Sequence, residues 1–212
     1  MPRRSLAMDM GLCNWSGIRI SYLAAQMHIT AANINQRIER YAEVLNEIEQ
    51  SNGPAIESIK LKTGEKRDFA EVISSDVYFL TAKRRNYLLL RLDSFLSDGA
   101  ASYNYNVLTI EHVLPQTVAS GSEWESWWPR SLDREYWLHK LGNLVPLTRT
   151  KNSAASNYNF DKKKVSYFTG RSGVSSYVLT SQVLGEAQWT PDIVENRQKM
   201  LVNVCKQNWN LH

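Results

Sequence analysis

The sequence is poor in cysteine and has no long apolar run. Its 212 residues include two cysteines, Cys13 and Cys205, which lack the paired spacing of a Cys/His zinc site. We therefore predict no structural zinc and two idle thiols in a reducing cytoplasm. No apolar run approaches the roughly 20 residues of a membrane span, and the basic start, Met-Pro-Arg-Arg-Ser, is not followed by the apolar segment of a secretory signal. No membrane partner is expected.

A phosphate-binding Gly-x-x-x-x-Gly-Lys-Ser/Thr motif is also missing, so the sequence offers no P-loop for nucleotide hydrolysis. What is present is the composition of an ordinary globular protein, with 43% hydrophobic and 22% charged residues. The net charge of +4 and the pI of about 9.0 are compatible with nucleic-acid binding but do not require it.

Helical periodicity dominates the chain. An apolar stripe at three- and four-residue steps predicts an amphipathic helix ahead of a Ser-Asn-Gly-Pro stop. Its members are Ile34, Ile38, Tyr41, Leu45 and Ile48. A second helix is predicted over 82–96, and a last one opens at Thr190-Pro191-Asp192. Two short runs are β-prone, residues 106–110 and 143–148. The fold class predicted is mainly α with a small β component.

Three markers fall around these β-prone runs. The first is residues 110–116, Ile-Glu-His-Val-Leu-Pro-Gln, at the end of the first run. The second is residues 139–144, His-Lys-Leu-Gly-Asn-Leu, where a Gly-Asn turn opens the second run. The third is Asn152, in a stretch compatible with a helix. Strand, long loop, strand and helix, with His on the first strand and Asn on the helix, is the order of a ββα-metal (HNH) nuclease finger over residues 107–167.

The chemistry of phosphodiester hydrolysis explains these residue types. It needs an activated water and a cation on the phosphate. His112 can be the base, because imidazole titrates near neutrality. Glu111 and Asn152 offer the oxygen ligands that suit Mg²⁺ or Mn²⁺. Adjacent strand residues point to opposite faces, so the strand must end or bend at Glu111-His112. Asn143 is expected to hold the long loop or the backbone near His112.

On these motifs the sequence resembles the C-terminal domain of GmrSD-type restriction proteins, an HNH (His-Me finger) nuclease. The resemblance covers most of the chain from about residue 87. It continues through Leu147, Asn152, Ser156-Asn157, Phe160, Lys163 and Tyr167 to Trp189-Thr190-Pro191 and Glu195-Asn196-Arg197. It implies that His112 is the general base, that Glu111 and Asn152 hold the metal, and that Asn143 is the middle Asn of the H-N-N set. It further implies double-stranded DNA as substrate, a role in restriction or anti-phage defence, and an N-terminal DNA-sensing NTPase domain as partner.

The long loop between the two β-prone runs carries further candidates. Trp124, Trp127 and Trp128 share one helical face, which is more typical of a core than of base stacking. His139 competes with His112 as the base, although a structural or phosphate-contacting role is favoured. Basic side chains on this loop and after it are predicted to contact DNA phosphates. The alternative is that they form an ordinary solvated surface. The predicted DNA-binding set is Arg130, Arg134, His139, Lys140, Arg149, Lys151, Lys162, Lys163 and Lys164.

These observations predict two regions. Residues 1–98 form an N-terminal helical region that packs on the nuclease, and residues 99–212 form the HNH domain with its C-terminal helix. The function predicted is a metal-dependent DNA endonuclease that nicks or cuts both strands. Two alternatives stay open: a non-catalytic DNA-binding module that keeps the finger shape, and a helical interaction domain that positions a partner enzyme.

Overall fold

The computed structural model is mainly helical, and its described part contains one two-stranded sheet. This agrees with the predicted fold class. The structure describes residues 20–50, 56–97, 108–148, 158–168 and 177–212. Its contacts divide the chain into two compact units. The first comprises Met1–Val72 with Trp209–His212, and the second is Ile73–Asn208. The predicted division at residue 98 into two regions that pack together stays a prediction. No helix in the described ranges is long and apolar enough to cross a membrane.

The first unit is built from helices. Residues 20–29 are helical (α1), followed by α2 (Ile34–Gln50) and by α3 (Thr63–Ser74), whose last two residues belong to the second unit. The Asn33 side chain accepts a hydrogen bond from the Gln36 amide at 3.0 Å, and the Gln36 side chain accepts one from the Asn33 amide at 2.8 Å. This reciprocal capping satisfies two amides at the start of α2.

The face that α2 buries differs from the sequence prediction. The helix exists as predicted, but its apolar stripe faces solvent, with Ile34 63% exposed and Leu45 60% exposed. Val44 and Arg40 face inward instead. The Arg40 guanidinium bonds to Glu43, to Glu65 and to the Lys60 carbonyl. A paired buried charge thus replaces the expected apolar contact, and Val44 joins the core of this unit with Leu23, Met27 and Ile59.

The second unit contains the sheet and the remaining helices. After a 3₁₀ turn, Val77–Phe79, the elements in chain order are α4 (Ala82–Leu96), β1 (Leu108–His112), α5 (Glu123–Trp127), α6 (Ser131–Leu138), a 3₁₀ turn Leu141–Asn143, β2 (Leu144–Thr148), α7 (Phe160–Phe168), α8 (Val178–Leu184) and α9 (Pro191–Asn208). Strands β1 and β2 pair antiparallel, with Leu108 opposite Thr148 and His112 opposite Leu144. The bounds of α4 match the prediction.

Tryptophans form the core that supports the sheet. Trp124 and Trp128 are buried with Phe160, Trp189 and aliphatic residues of β2 and α9. The Trp128 indole N–H donates to the Trp189 carbonyl at 2.6 Å, so this buried donor has a hydrogen-bond partner. The prediction of core positions is confirmed for Trp124 and Trp128, and base stacking by these two is wrong because their rings have no exposed face. Trp127 is half-buried and packs against the same core.

Helix α9 fixes the turn that precedes β2. Arg197 donates through one guanidinium nitrogen to the carbonyls of Leu141, Gly142 and Leu144, at 2.8–3.2 Å. A Cβ on Gly142 would lie 2.5 Å from the Val194 carbonyl oxygen, so only glycine allows this close approach. Cys205, on the same helix, is buried, and burial raises the pKa of its thiol to about 12. Cys205 is a free, buried thiol, which agrees with the prediction for this residue, and Cys13 lies outside the described residues.

Candidate functional site

The site forms where β1 ends. Glu111 and His112 are the last two residues of the strand, opposite Val145 and Leu144 of β2. Alternation along a strand sends their side chains to opposite faces, because both residues are still paired with β2 where β1 ends. That the two side chains meet at one metal stays a prediction. His112 is 4% exposed. The two candidate catalytic side chains are therefore adjacent in sequence but have separate partners.

Both ring nitrogens of His112 have polar neighbours. Nδ1 lies 3.3 Å from Nε2 of Gln116, which follows His112 by four residues. Nε2 lies 3.2 Å from Nδ1 of His139, at the end of α6. Burial, with the charges of His139, Lys163 and Arg85, lowers the pKa of His112 to about 3. The imidazole is thus uncharged at neutral pH and held from both sides.

The turn before α4 completes the surroundings of His112. The Tyr78 ring lies 4.2 Å from the His112 ring and is stacked on His139 at 5.3 Å, centroid to centroid. The Tyr78 amide donates to the His139 carbonyl at 3.1 Å. The guanidinium of Arg85 sits over the Tyr78 ring, 4.5 Å from its centroid, and donates to the Tyr78 carbonyl. Burial lowers the pKa of His139, and the charge of Asp76 offsets part of this effect.

Glu111 is held by a buried lysine. Nζ of Lys163, on α7, lies 2.7 Å from the Glu111 carboxylate and 2.8 Å from the His112 carbonyl oxygen. The Lys163 side chain is 1% exposed and that of Glu111 12%. Burial raises the pKa of Glu111 and lowers the pKa of Lys163, and the partner's charge opposes each shift. This contradicts the prediction of a DNA-phosphate contact by Lys163, because its ammonium lies inside the protein on the carboxylate.

Asn143 is buried and uses its whole amide. Its oxygen accepts from the Leu114 amide at 2.7 Å and from the Trp189 indole at 3.1 Å. Its nitrogen donates to the carbonyls of Leu114 and Leu138. The Asn143 carbonyl also accepts from the Val113 amide. These bonds tie the turn before β2 to the chain that leaves His112. Asn143 therefore positions the site from within rather than facing a substrate.

The other predicted DNA contacts lie in different environments. Arg130 is exposed and forms two hydrogen bonds with Asp133. Arg134 donates to the Trp128 carbonyl at 2.6 Å. The side chain of Lys140 is largely buried and pairs with Asp76. Lys162 is exposed. Lys164 is partly covered and pairs with Asp161. Arg149, Lys151 and the predicted metal ligand Asn152 lie outside the described residues.

Glu111 fits a magnesium-type site in its chemistry. Mg²⁺ keeps several waters and commonly takes one or two carboxylates together with substrate phosphates. In the described part of the chain, no group of three His, Cys, Asp or Glu side chains could hold a metal ion. The motif predicts Glu111 and Asn152 as the oxygen donors, and this ligand set stays a prediction. The ammonium of Lys163 already binds the Glu111 carboxylate, which is the group that such a cation would need.

Tyr78 was not predicted at the site, and Gln116 and Lys163 were named in the motifs without the contacts that they make there. Lys163 had a usable signal, because it follows Phe160 by three residues and so shares the buried face of α7. Gln116 lies four residues after His112, within the motif. Tyr78 carries no local signal, since it lies more than 30 residues before His112 in sequence and reaches it only through the tertiary fold.

Comparison with known protein families matches residues 65–204 to the family described as GmrSD restriction endonucleases, C-terminal domain. The match includes β1, β2, α7 and most of α9, and therefore every described residue of the site. A comparison with curated proteins found no match.

Proposed function

The chain belongs to the family of GmrSD restriction endonuclease C-terminal domains, and from this premise we propose that it is a metal-dependent DNA endonuclease with His112 as general base. The observation that carries the proposal is the arrangement at the end of β1. A buried imidazole and a carboxylate are consecutive residues there, and each is fixed by a side chain from a distant part of the chain. Membership of the family points to nuclease activity, and the arrangement supports the roles of individual residues.

We infer that β1, β2 and the chain through α7 make up the ββα finger. The antiparallel pair and a later helix are compatible with the order strand, loop, strand, helix. Lys163 reaches back from α7 to the end of β1, so the helix and the strand are joined at the site. Asn152, which was predicted to lie on the helix of the finger, is outside the described residues.

The proposed chemistry begins at the imidazole. His112 is uncharged at neutral pH, which is the form that can accept a proton from water as the water oxygen attacks phosphorus and the bond from phosphorus to the leaving oxygen breaks. Its burial makes it a weaker base than a free imidazole. In the described state its Nε2 is bonded to His139. The attacking water must therefore replace this contact, or His139 must take the proton. His139 is the alternative base for this reason.

Glu111 and Asn152 are the proposed holders of Mg²⁺ or Mn²⁺, which would stabilise negative charge on the phosphate and the leaving oxygen. Lys163 holds the Glu111 carboxylate in place, and its positive charge offsets the negative charge of the carboxylate. Asn143 fixes the backbone on both sides of the site through Leu114 and Leu138. Each role is one of binding or positioning, apart from that of His112.

Double-stranded DNA is the proposed substrate. Phosphate contacts are proposed for the exposed Arg130 and Lys162, and also for Arg134, His139, Lys140, Arg149, Lys151 and Lys164. We further propose that the chain works with a DNA-sensing NTPase domain, since it has no P-loop of its own. Target sequence and modification preference would then reside in that partner.

The test is cleavage of supercoiled plasmid in Mg²⁺ or Mn²⁺, with EDTA as the metal-free arm. We expect nicked or linear product that disappears with EDTA and in His112→Ala. His28→Ala is the matched control, because His28 is an exposed residue of the other unit. Retardation of DNA without cutting would support the non-catalytic binding module, and no interaction would support the helical interaction domain. Full activity of His112→Ala would move the role of base to His139.

A further inference from the structure

The 3₁₀ turn before α4 exposes a phenylalanine at the rim of the site. Phe79 is 70% exposed, whereas its neighbours in the turn, Val77 and Tyr78, are buried and half-buried. Its ring lies 4.3 Å from the His139 ring, centroid to centroid. His139 in turn contacts His112. A solvent-facing aromatic ring therefore lies one side chain away from the proposed base.

The turn that carries Phe79 is firmly held. The Phe79 amide donates to the Asp76 carbonyl, and the Leu80 amide to the Val77 carbonyl, both at 3.1 Å. The bond from the Tyr78 amide to the His139 carbonyl ties the turn to α6. The Phe79 ring also packs edge-on to the Tyr78 ring at 6.1 Å. An aromatic ring on a fixed backbone loses little conformational entropy when it binds a ligand.

The surface around Phe79 combines aromatic rings with cations. Tyr136 is 59% exposed, and Nζ of Lys140 lies 4.6 Å from the centroid of its ring. Lys140 also pairs with Asp76, and its side chain is only 12% exposed, so these two charges offset each other. The guanidinium of Arg85 lies over the Tyr78 ring. Exposed aromatic rings beside cations are typical of surfaces that bind single-stranded or unstacked nucleic acid.

We propose that Phe79 is a stacking platform for an unpaired nucleobase next to the scissile phosphodiester. This inference rests on the proposed function, because the phosphodiester it refers to is the one at His112. A nucleobase suits the site because it presents a flat apolar face and is attached to the phosphate that the cations attract. Within a regular duplex both faces of a base are covered by its neighbours. The platform therefore favours DNA in which a base beside the cut is extrahelical, mismatched or single-stranded.

Stacking on Phe79 acts on binding rather than on chemistry. Loss of a stacking ring to alanine weakens binding roughly 5- to 150-fold per base. The contact is present both before and during the reaction, so its loss raises KM and leaves kcat unchanged. A change in protein stability is not expected, since the ring is mostly exposed.

The first experiment measures binding without cleavage. Single-stranded DNA carrying one 2-aminopurine is titrated, in EDTA, with the whole chain and with Phe79→Ala, Phe79→Leu and Phe79→Trp. We expect stacking to quench the fluorescence with the parent chain and with Phe79→Trp, and the Ala and Leu variants to lose the quenching. Leu132→Ala is the matched control, because Leu132 is 73% exposed at the start of α6. Equal quenching by the parent chain and Phe79→Ala would overturn the proposal.

The second experiment tests the position of the base. A duplex with a mapped cut is compared with the same duplex carrying an abasic nucleotide beside the cut, for the parent chain and Phe79→Ala. If Phe79 stacks on that base, each change raises KM and the two together do no more than one alone. Fully additive effects would overturn the proposal even if cleavage is normal. Absence of cleavage with normal quenching would instead reject the endonuclease function and leave the nucleobase platform standing.

Discussion

Replacing Lys163 by methionine removes the ammonium and keeps an unbranched side chain of similar length. In the folded protein the Lys163 side chain is 1% exposed, and its ammonium lies 2.7 Å from the Glu111 carboxylate and 2.8 Å from the His112 carbonyl oxygen. Without it, a carboxylate that is 12% exposed loses its partner inside the protein. The carbonyl of His112, the last residue of β1, loses the hydrogen bond from Lys163 as well. Stability and activity should both fall.

The magnitude follows from the burial of the pair. Removing one partner of a buried ion pair typically costs about 3–5 kcal/mol, because the remaining charge has no compensation. For a chain of this size, that loss corresponds to a fall in Tm of roughly 6–20 °C. Glu111→Gln leaves the ammonium of Lys163 unpaired and should be destabilising for the same reason. The double variant should be more stable than the sum of the two losses predicts, by about 0.5–3 kcal/mol.

The assay is urea unfolding of the four proteins that make up this cycle, at one pH and ionic strength. Lys162→Met is the control, because Lys162 is the exposed neighbour of Lys163 on α7 and its loss should change stability by no more than about 0.5 kcal/mol. A Lys163→Met protein that unfolds at the same urea concentration as the parent would refute the reasoning. Strict additivity of the two single changes would do so too.

Three further predictions concern the site and α2. His112 is protonated below about pH 6.5 in the unfolded chain but only near pH 3 in the folded chain, so between these pH values the free energy of unfolding falls by about 1.4 kcal/mol for each unit of acidification. His112→Gln should therefore flatten the decline of Tm on acidification. An unchanged slope would speak against the low pKa. Asn143→Ala should lower Tm and cleavage together, because buried partners such as the Leu114 amide lose bonds worth about 1–3 kcal/mol; a variant with normal Tm and no activity would indicate direct catalysis instead. Leu45→Glu should change the free energy of unfolding by less than about 0.5 kcal/mol, because Leu45 is 60% exposed; a large loss would show that the stripe of α2 is buried in solution.

Local patterns predicted much of the secondary structure and part of the site. The leucine-rich helix was predicted at 82–96 and is observed as α4, since its apolar spacing and the turns around it are local features. β1 ends at His112, where an end or a bend of the strand was predicted, but Glu111 and His112 are both still paired with β2 there. The burial of Trp124 and Trp128 followed from their helical spacing.

Long-range contacts set what the sequence did not reveal. Residues 162–164 are three lysines in a row and resemble a solvated patch, yet α7 turns Lys163 toward a carboxylate 52 residues earlier in the chain. The apolar stripe of α2 has the spacing of a buried face, but Arg40 lies inward because Glu43, Glu65 and the Lys60 carbonyl meet it there. Periodicity shows that a helix has two faces; the neighbours decide which one is buried.

The most direct test of His112 as the base of a DNA endonuclease is a single-turnover rate of phosphodiester cleavage at saturating DNA and Mg²⁺. The parent chain and His112→Ala are compared under identical conditions, with circular dichroism to show that both are folded. Loss of a general base should lower the rate by about 10²–10⁴-fold while DNA affinity is retained. A His112→Ala protein that cuts within threefold of the parent rate would contradict the assignment.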